Sequence, residues 1–211
     1  MSAAKPTVWV SRIMMDSTLI KAFTSDAIER DKDATLQRME MHQEGLNIAA
    51  EAFPQEFYSD SRHKKIKKQP DIFLCGGFWC VSSAVAEVLQ RFDLGEGCVY
   101  PTKLFQFDRE TPVEGEYFCL NLGARQQFLV SEQSPGAKIP RFAKPNSWIL
   151  RPDPQDGDLA VRAAALKGAD LWTDPYIRRV VFLSDPLVQA LKAAKLSRRF
   201  GLQKCAVLSD H

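Results

Sequence analysis

The sequence predicts an α+β fold with mixed or antiparallel sheets, two similar strand–capped helix–strand modules and a partly helical N-terminal region. Short apolar runs of the kind that form buried strands recur from Asp71 onward, separated by turn residues. Ser184 lies 102 positions after Ser82, and at this offset two stretches share the order of strand, capped helix and strand. Residues 24–53 instead carry scattered apolar residues among many charges, which predicts a helical segment.

The bulk composition predicts a globular chain with a core of ordinary size. With 211 residues, 45% of them hydrophobic, the chain can bury about 70% of the surface that its unfolded form exposes. We expect residues 1–69 to form an N-terminal helical extension or subdomain and residues 70–211 to form the α+β domain, unless the two belong to one domain. The 28 basic and 26 acidic residues leave a net charge of +2, which is too small to select a partner through its long-range field.

The cysteines predict reduced thiols in the core. Their number is odd, they lie mostly in apolar runs, and paired CxxC spacing is absent. The N-terminus has no continuous apolar core of the signal-peptide type, and no run approaches the roughly 18 apolar residues of a membrane span. We therefore expect a cytoplasmic protein without membrane contact, whose five cysteines are free: Cys75, Cys80, Cys98, Cys119 and Cys205.

The first module begins after Pro70. The apolar run Asp71–Cys75 predicts a buried strand, the double glycine after it permits a turn, and Ser82 or Ser83 can cap the helix that follows. The spacing of the apolar residues on that helix predicts one buried stripe, formed by Val85, Val88, Leu89 and Phe92.

The second module occupies the end of the chain. Val180–Leu183 predicts a short buried strand, and Ser184 or Asp185 can receive the first free N–H groups of a helix. Pro186 then falls at an early helical position, where a missing N–H costs little. Residues Lys204–Leu208 predict a closing strand.

The region between the modules predicts further strands. Glu116–Leu122 and Gln127–Ser131 are typical of the two arms of a hairpin with Gly123 at its turn. Residues 147–150 predict a short strand. Within residues 159–174 the alanine content of LAVRAAAL favours a helix, while the residues that follow suit a hairpin, and of the two we predict an extended pair.

The strongest candidates for catalysis lie at the turn of the first module. A strand, Gly76-Gly77 and a helix could cradle a phosphate, but a third glycine and a P-loop lysine are absent, and the bulky Phe78 and Trp79 follow directly. Cys80 is the best nucleophile candidate, because a helix N-terminus can lower the pKa of a thiol. Its apolar context favours a structural thiol instead.

The histidines add no catalytic or metal-binding pattern. None adjoins a cysteine, serine or carboxylate motif, and neither HExxH nor paired CxxC spacing occurs. We therefore expect no catalytic residue, no metal ion and no cofactor, with the three histidines, His42, His63 and His211, outside any such site.

Two charged stretches are candidates for contact with a partner. The basic run from Arg62 to Lys68 lacks an adjoining stacking aromatic residue or groove-entering helix, so it predicts a solvated loop and nucleic-acid binding is not expected. The acidic stretch 108–116 surrounds Thr111-Pro112 in a predicted loop. General acid–base catalysis needs burial or a neighbouring charge to separate the pKa values of two carboxylates. Because these acids lie in a predicted loop, we expect them to be solvated and not catalytic.

Several stretches carry a family resemblance. The segment VVFLSDPLVQALKAAKL, preceded by DLWTD, is echoed upstream by PDIFLCGGFWCVSSAVAEVLQ and EYFCLNL. These stretches resemble the eleventh numbered immunity-protein family (immunity protein 11) of bacterial polymorphic toxin systems, formerly an uncharacterised domain family. The resemblance covers roughly Pro70 to Leu208, while Cys75-Gly76-Gly77-Phe78 departs from it. The matching positions are mainly caps and core residues, and the family offers no catalytic residue to transfer.

The resemblance implies a non-enzymatic protein that binds a cognate bacterial toxin and occludes its active face. Such an interface would bury about 800 Å² on each partner, with a few aromatic or charged residues dominating. The alternative is a small cytoplasmic enzyme or nucleotide-binding domain that uses the Gly76-Gly77 and Cys80 strand-to-helix turn. The residues that we predict to contact a partner are Trp79, Asp108, Glu110, Glu114 and Trp172.

Overall fold

A computed structural model describes residues 7–140 and 147–209. The α+β class is confirmed, because short strands in mixed sheets alternate with four α-helices over the described residues. The helices are α1 (Asp26–Arg30), α2 (Lys32–Gln43), α3 (Ser83–Leu89) and α4 (Asp185–Ala193).

The strands are short, as expected for a chain with turn residues throughout. In chain order they are β1 (Val8–Ser11), β2 (Ile20–Lys21), β3 (Phe23–Ser25), β4 (Glu56–Ser59), β5 (Ile72–Cys75), β6 (Phe78–Ser82), β7 (Cys98–Phe105), β8 (Tyr117–Asn121), β9 (Ala137–Lys138), β10 (Trp148–Leu150), β11 (Ala160–Arg162), β12 (Leu171–Asp174), β13 (Ile177–Ser184), β14 (Leu202–Lys204) and β15 (Ala206–Leu208).

The chain divides into two compact units. Unit 1 comprises residues 1–15, 92–95 and 124–211, and unit 2 comprises residues 16–91 and 96–123. Residues 16–69, which the sequence assigns to an N-terminal extension, thus belong to the same unit as residues 70–91. Strand pairing explains this grouping, because β2 pairs with β5 and β4 pairs with β7.

Unit 2 is built on a seven-stranded sheet. Its strand order is β2-β5-β6-β8-β7-β4-β3; β5, β6, β8 and β7 are antiparallel to one another, while β2 is parallel to β5 and β4 is parallel to β7. The apolar residues at its centre include Phe57, Phe73 and Phe78, which are fully buried. Ser25 caps α1, because its side chain accepts the N–H of Ile28, and Asp31 caps α2, because its side chain accepts the N–H of Ala34. The predicted N-terminal helical segment is therefore present as two helices.

Unit 1 is built on a second sheet. Its strand order is β14-β1-β13-β10-β9, with β12 also paired to β13, while β11 and β15 form a separate parallel pair. Strand β13 is the longest of these and is buried from Val180 to Leu183, as the apolar run predicts. The Ser184 hydroxyl oxygen accepts the N–H of Leu187 at 3.3 Å, so the predicted cap of α4 is present.

The predicted hairpin over residues 116–131 is wrong. Strand β8 forms as expected, but its two edges are taken by β6 and β7. Residues 127–131 form no strand; the N–H groups of Phe128 and Leu129 instead donate to one carboxylate oxygen of Asp174, each at 2.8 Å. The eight-residue β7 offers β8 a longer antiparallel partner than the predicted arm, which explains the difference.

The extended pair predicted over residues 159–174 is also wrong as a pair. Both β11 and β12 are strands, but β11 pairs with β15 and β12 pairs with β13. The alanine-rich residues between them, Ala163–Lys167, form a 3₁₀ helix. Local composition therefore predicted that β11 and β12 are extended, but it did not predict the strands with which they pair.

A histidine lies in the core of unit 2. His42 on α2 is fully buried, its Nε2 accepts the backbone N–H of Trp79 at 3.0 Å, and its ring contacts Phe53 and Phe78. Since Nε2 accepts, the ring proton resides on Nδ1, which has no hydrogen-bond partner among the described residues. Burial disfavours the charged imidazolium and lowers the pKa of His42 to about 4.

This burial predicts that unit 2 loses stability in mild acid. Because the folded-state pKa lies below the ordinary value of 6.5, the unfolded chain binds the proton first as the pH falls. The contribution of His42 is present above about pH 6.5 and is lost towards pH 4, and the free energy of unfolding falls by up to about 3 kcal/mol over that window. Denaturant unfolding between these pH values measures it.

Two variants isolate this effect from other titrating groups. We expect His42→Gln, whose side-chain carbonyl can still accept the Trp79 N–H, to flatten the dependence. His63→Gln, at an exposed position, should leave it unchanged. An unchanged pH dependence in His42→Gln would contradict the assignment.

Candidate partner-binding surface

The connection between β7 and β8 is an ordered loop at the end of a hairpin in unit 2. The hairpin continues past β7 through a bridge between Phe105 and Pro112. The N–H of Gln106 donates to the carbonyl of Thr111 at 2.8 Å, and the N–H of Arg109 donates to the carbonyl of Gln106 at 3.1 Å. Arg109 adopts a φ of 64°, a left-handed conformation that is uncommon for a residue with a side chain.

The side chain of Asp108 stabilises this loop through hydrogen bonds to residues of the same loop. Its carboxylate accepts the hydroxyl of Thr111 at 2.6 Å and the backbone N–H groups of Thr111 and Glu110 at 2.9 and 3.0 Å. The Thr111 hydroxyl, those N–H groups and the charge of Lys65 lower the pKa of Asp108. The carboxylate therefore stays ionised and fixes the loop conformation.

Arg109 is held in one orientation by two elements of unit 2. Its guanidinium donates to both carboxylate oxygens of Glu29, at 3.0 and 2.5 Å, and lies 4.7 Å from the centre of the Tyr58 ring. The hydrogen bonds and the charge of Glu29 raise the pKa of Arg109. Both partners remain partly exposed, at 54% and 40%, so this ion pair orients the arginine more than it stabilises the fold.

Tyr58 is fixed in turn by its neighbours. Its hydroxyl donates to Glu56 at 2.6 Å, which together with burial and nearby acids raises the pKa of Tyr58 to about 12. Its ring stacks on Phe105 of the adjacent strand β7. Tyr58 therefore presents a neutral, oriented ring beneath Arg109 throughout the physiological pH range.

The basic run follows the same hairpin. The Gln106 side chain accepts the N–H of Ile66 at 2.9 Å and donates to its carbonyl at 2.6 Å, and the N–H of Glu114 donates to the carbonyl of Lys67 at 3.1 Å. The cationic side chains point to solvent, and Arg62 lies 5.1 Å from the ring of Phe107, which is itself 42% exposed. The predicted loop is therefore exposed, as expected, and is held in place by the hairpin.

These residues define one exposed patch of unit 2, which we call the loop surface. Its exposed members are Glu29, Arg62, residues 107–112 and Glu114, and its half-buried members are Glu56 and Tyr58. The acids Asp108, Glu110 and Glu114, predicted as partner contacts, lie on it and are exposed. No local pattern pointed to Tyr58 or Arg109, because the contacts that orient them span 51 and 80 positions of the chain.

The two predicted tryptophan contacts require correction. Trp79 on β6 is 3% exposed, and Trp172 on β12 is fully buried and stacked on Phe182. Each ring belongs to the interior of its own unit, so neither offers a surface to a partner. Tryptophan supplies a large apolar area, and strands that line a core bury it.

The turn at Gly76-Gly77 forms as predicted but has no open space beside it. Both glycines have positive φ, of 51° and 85°. The side chains of Phe57 and Met39 occupy the positions where a β-carbon on Gly76 or Gly77 would lie. A phosphate would need that backbone to be open, so the geometry gives no support to a phosphate cradle.

The candidate nucleophile Cys80 is buried, whereas His63 is exposed. Cys80 is fully buried, and burial raises the pKa of its thiol well above the ordinary value. His63 is exposed on the basic run, and His211 lies outside the described residues. Over residues 7–140 and 147–209, no three His, Cys, Asp or Glu side chains come together in a way that could hold a metal ion.

Four of the five thiols are shielded from solvent. Cys75, Cys80, Cys119 and Cys205 are buried, and burial raises the pKa of each thiol. Cys98, the first residue of β7, is exposed. A buried, protonated thiol is a poor nucleophile, whereas an exposed one can form the reactive thiolate.

We therefore expect one thiol of the native protein to react with a thiol reagent at neutral pH. Native and denatured samples treated with 5,5′-dithiobis(2-nitrobenzoate) should release one and five equivalents of chromophore. Cys98→Ser should abolish the native reaction, and Cys75→Ser should leave it in place. A rapid native reaction of Cys80 would contradict the burial described above.

The fold and the loop surface define an α+β protein with an exposed, structurally fixed patch of aromatic and charged side chains. No family model matches the chain, and no curated protein matches it. None of the helices in the described part of the chain has the length and apolar character that crossing a membrane requires.

Proposed function

We propose that this protein is an immunity protein that binds a cognate bacterial toxin in the cytoplasm and neutralises it by occlusion, without catalysis. The observation that supports the proposal most directly is the fixed orientation of Arg109 by Glu29 and Tyr58. Arginine and tyrosine are the residue types that most often dominate the binding energy of protein interfaces. Holding them in place before binding reduces the entropy lost on association.

The loop surface has the composition of a specific protein-binding patch. It places an exposed aromatic ring, Phe107, against the guanidinium of Arg62 and on the same loop as the exposed acids Glu110 and Glu114. Groups of both signs around an apolar centre select a partner by complementarity and exclude partners with like charges opposite them. A toxin that bears the complementary pattern is the partner that we propose.

We also propose that the two units contain similar modules. In unit 2 the strands lie in the order β5-β6-β8-β7, and in unit 1 they lie in the order β12-β13-β1-β14, with antiparallel pairing throughout both sets. Helix α3 begins directly after β6, and α4 begins directly after β13. The two sets therefore correspond strand by strand.

One detail of side-chain chemistry supports the same correspondence. The Ser82 hydroxyl donates to Asp71 and its N–H donates to the carbonyl of the same residue. The Ser184 hydroxyl and N–H make the equivalent pair of hydrogen bonds to Asp170. In each unit the first strand of a hairpin is thus tied to the residue that starts the helix.

The correspondence explains why only unit 2 carries the loop surface. Strand β8 follows β7 along the chain, so a connecting loop, residues 106–116, is required between them. In unit 1 the equivalent position is filled by β1 from the N-terminal end of the chain, and no such connection from β14 exists. The proposed toxin contact therefore lies where the two modules differ.

Neutralisation of the toxin encoded beside this gene tests the function. Co-expression should restore growth of cells that carry the toxin, and the two proteins should co-purify as a stable complex. Absence of both rescue and complex formation for the wild-type chain would overturn the immunity function.

A pair of double variants tests the contact surface separately. Phe107→Ala/Arg109→Ala removes the exposed ring and the oriented cation, and we expect it to weaken toxin binding by about tenfold or more, as loss of central interface residues does. The matched control, Leu166→Ala/Arg178→Ala, removes an exposed apolar residue and a cation from unit 1 and should bind like the wild type. Equal affinity of the wild type and the first variant would exclude the loop surface as the contact.

A further inference from the structure

Unit 1 carries a surface of one sign that the proposed function does not use. Residues 186–209 contain five cationic side chains and no aspartate or glutamate. Arg12, at the end of β1, joins them, since its side chain lies against Gly201. We call this group the basic surface; its exposed members are Arg12, Lys192, Lys195, Arg198, Arg199 and Lys204.

The fold places two of these charges over one aromatic ring. The ammonium groups of Lys192 and Lys204 lie 4.0 and 5.5 Å from the centre of the Trp9 ring. Arg198 and Arg199 lie in the 3₁₀ turn Ser197–Arg199 that connects α4 to β14. The turn is attached to β1 because the Ser11 hydroxyl donates to the carbonyl of Phe200 at 2.5 Å.

Few carboxylates compensate these charges. Within the described residues the ion pairs are Arg30 with Asp26, Arg109 with Glu29 and Arg151 with Asp158, so none involves the basic surface. The nearby Asp185 accepts the indole N–H of Trp9 at 2.7 Å, and Asp156 accepts the N–H of Lys204 at 2.7 Å. Gathering like charges opposes folding, and an acidic partner would relieve the repulsion.

We propose that the basic surface binds an acidic protein segment. Guanidinium groups recognise carboxylates through paired hydrogen bonds, and the lysines add attraction that reaches across the surface. Single-stranded nucleic acid fits less well, because single strands bind through aromatic rings on which bases stack. Trp9 is 7% exposed, its N–H is already donated to Asp185, and two ammonium groups lie over its ring.

This inference goes beyond the proposed function, since it requires neither a toxin nor the loop surface. The experiment measures binding of fluorescent poly-L-glutamate to the full chain by polarisation anisotropy, from low to physiological ionic strength. We expect saturable binding that weakens as salt screens the charges. Duplex DNA and single-stranded RNA serve as competing probes under the same conditions.

Charge reversal locates the binding surface. Lys195→Glu/Arg198→Glu/Arg199→Glu should weaken poly-L-glutamate binding by about tenfold or more, equivalent to about 1.4 kcal/mol. The control, Lys32→Glu/Arg91→Glu/Lys167→Glu, changes the net charge equally at exposed positions outside the basic surface and should bind within about threefold of the wild type. The neutral variant Lys195→Gln/Arg198→Gln/Arg199→Gln replaces the first if charge reversal impairs folding.

The outcomes that overturn the proposal are distinct. Absence of binding at low ionic strength removes it, and so does an equal loss in the control, because net charge alone would then explain the affinity. Tighter binding of DNA or RNA than of poly-L-glutamate would assign the surface to nucleic acid. If the charge-reversed variant still rescues cells from the toxin while it no longer binds poly-L-glutamate, the basic surface binds its acidic partner independently of toxin neutralisation.

Discussion

The junction between a strand and the helix that follows it is the constraint on which each unit depends. At both junctions a serine is tied to an aspartate one strand away by its hydroxyl and its N–H, Ser82 to Asp71 and Ser184 to Asp170. A hydrogen bond to a charged group contributes about 1.5 to 3 kcal/mol when partly buried. These bonds fix the hairpin register and the start of the helix together, and the helix then buries its apolar stripe, Val85, Val88 and Leu89 in one unit and Leu187, Val188 and Leu191 in the other.

In unit 2 the strand β8, which lies beside the helix-bearing strand β6, comes later in the chain than β6, whereas in unit 1 the strand β1, which lies beside β13, comes earlier in the chain than β13. Unit 2 places β8 between β6 and β7, and unit 1 places β1 between β13 and β14. The first solution needs a connecting loop, and the loop is stabilised by Asp108 and by the contacts of Arg109. The second needs only an N-terminal strand. The loop surface therefore occurs in one unit as a consequence of strand order.

The loop surface and the basic surface differ in how their charges are arranged. The loop surface contains a cation and an acid that orient each other, Arg109 and Glu29, while the basic surface has two of its six cations over Trp9 and no ion pair among the described residues. A net charge of +2 conceals both patterns, because the excess on one face is offset by acids elsewhere. The charge pattern of each local surface is therefore not visible in the net charge.

The sequence by itself determined the α+β class, the buried strands, the serine-capped start of α4 and the exposure of the acidic loop, because these depend on contacts within a few residues. Ser82 stands at the N-cap position of α3, but its hydroxyl donates to Asp71 and makes no capping hydrogen bond to the helix. Strand partners were decided by the tertiary structure: β8 pairs with β6 and β7, and its predicted partner at residues 127–131 forms no strand. The burial of Trp79 and the meeting of Arg109 with Glu29 and Tyr58 likewise join distant residues. Spacing along the chain carries no record of such contacts, since any apolar strand can pair with several others until the whole sheet forms.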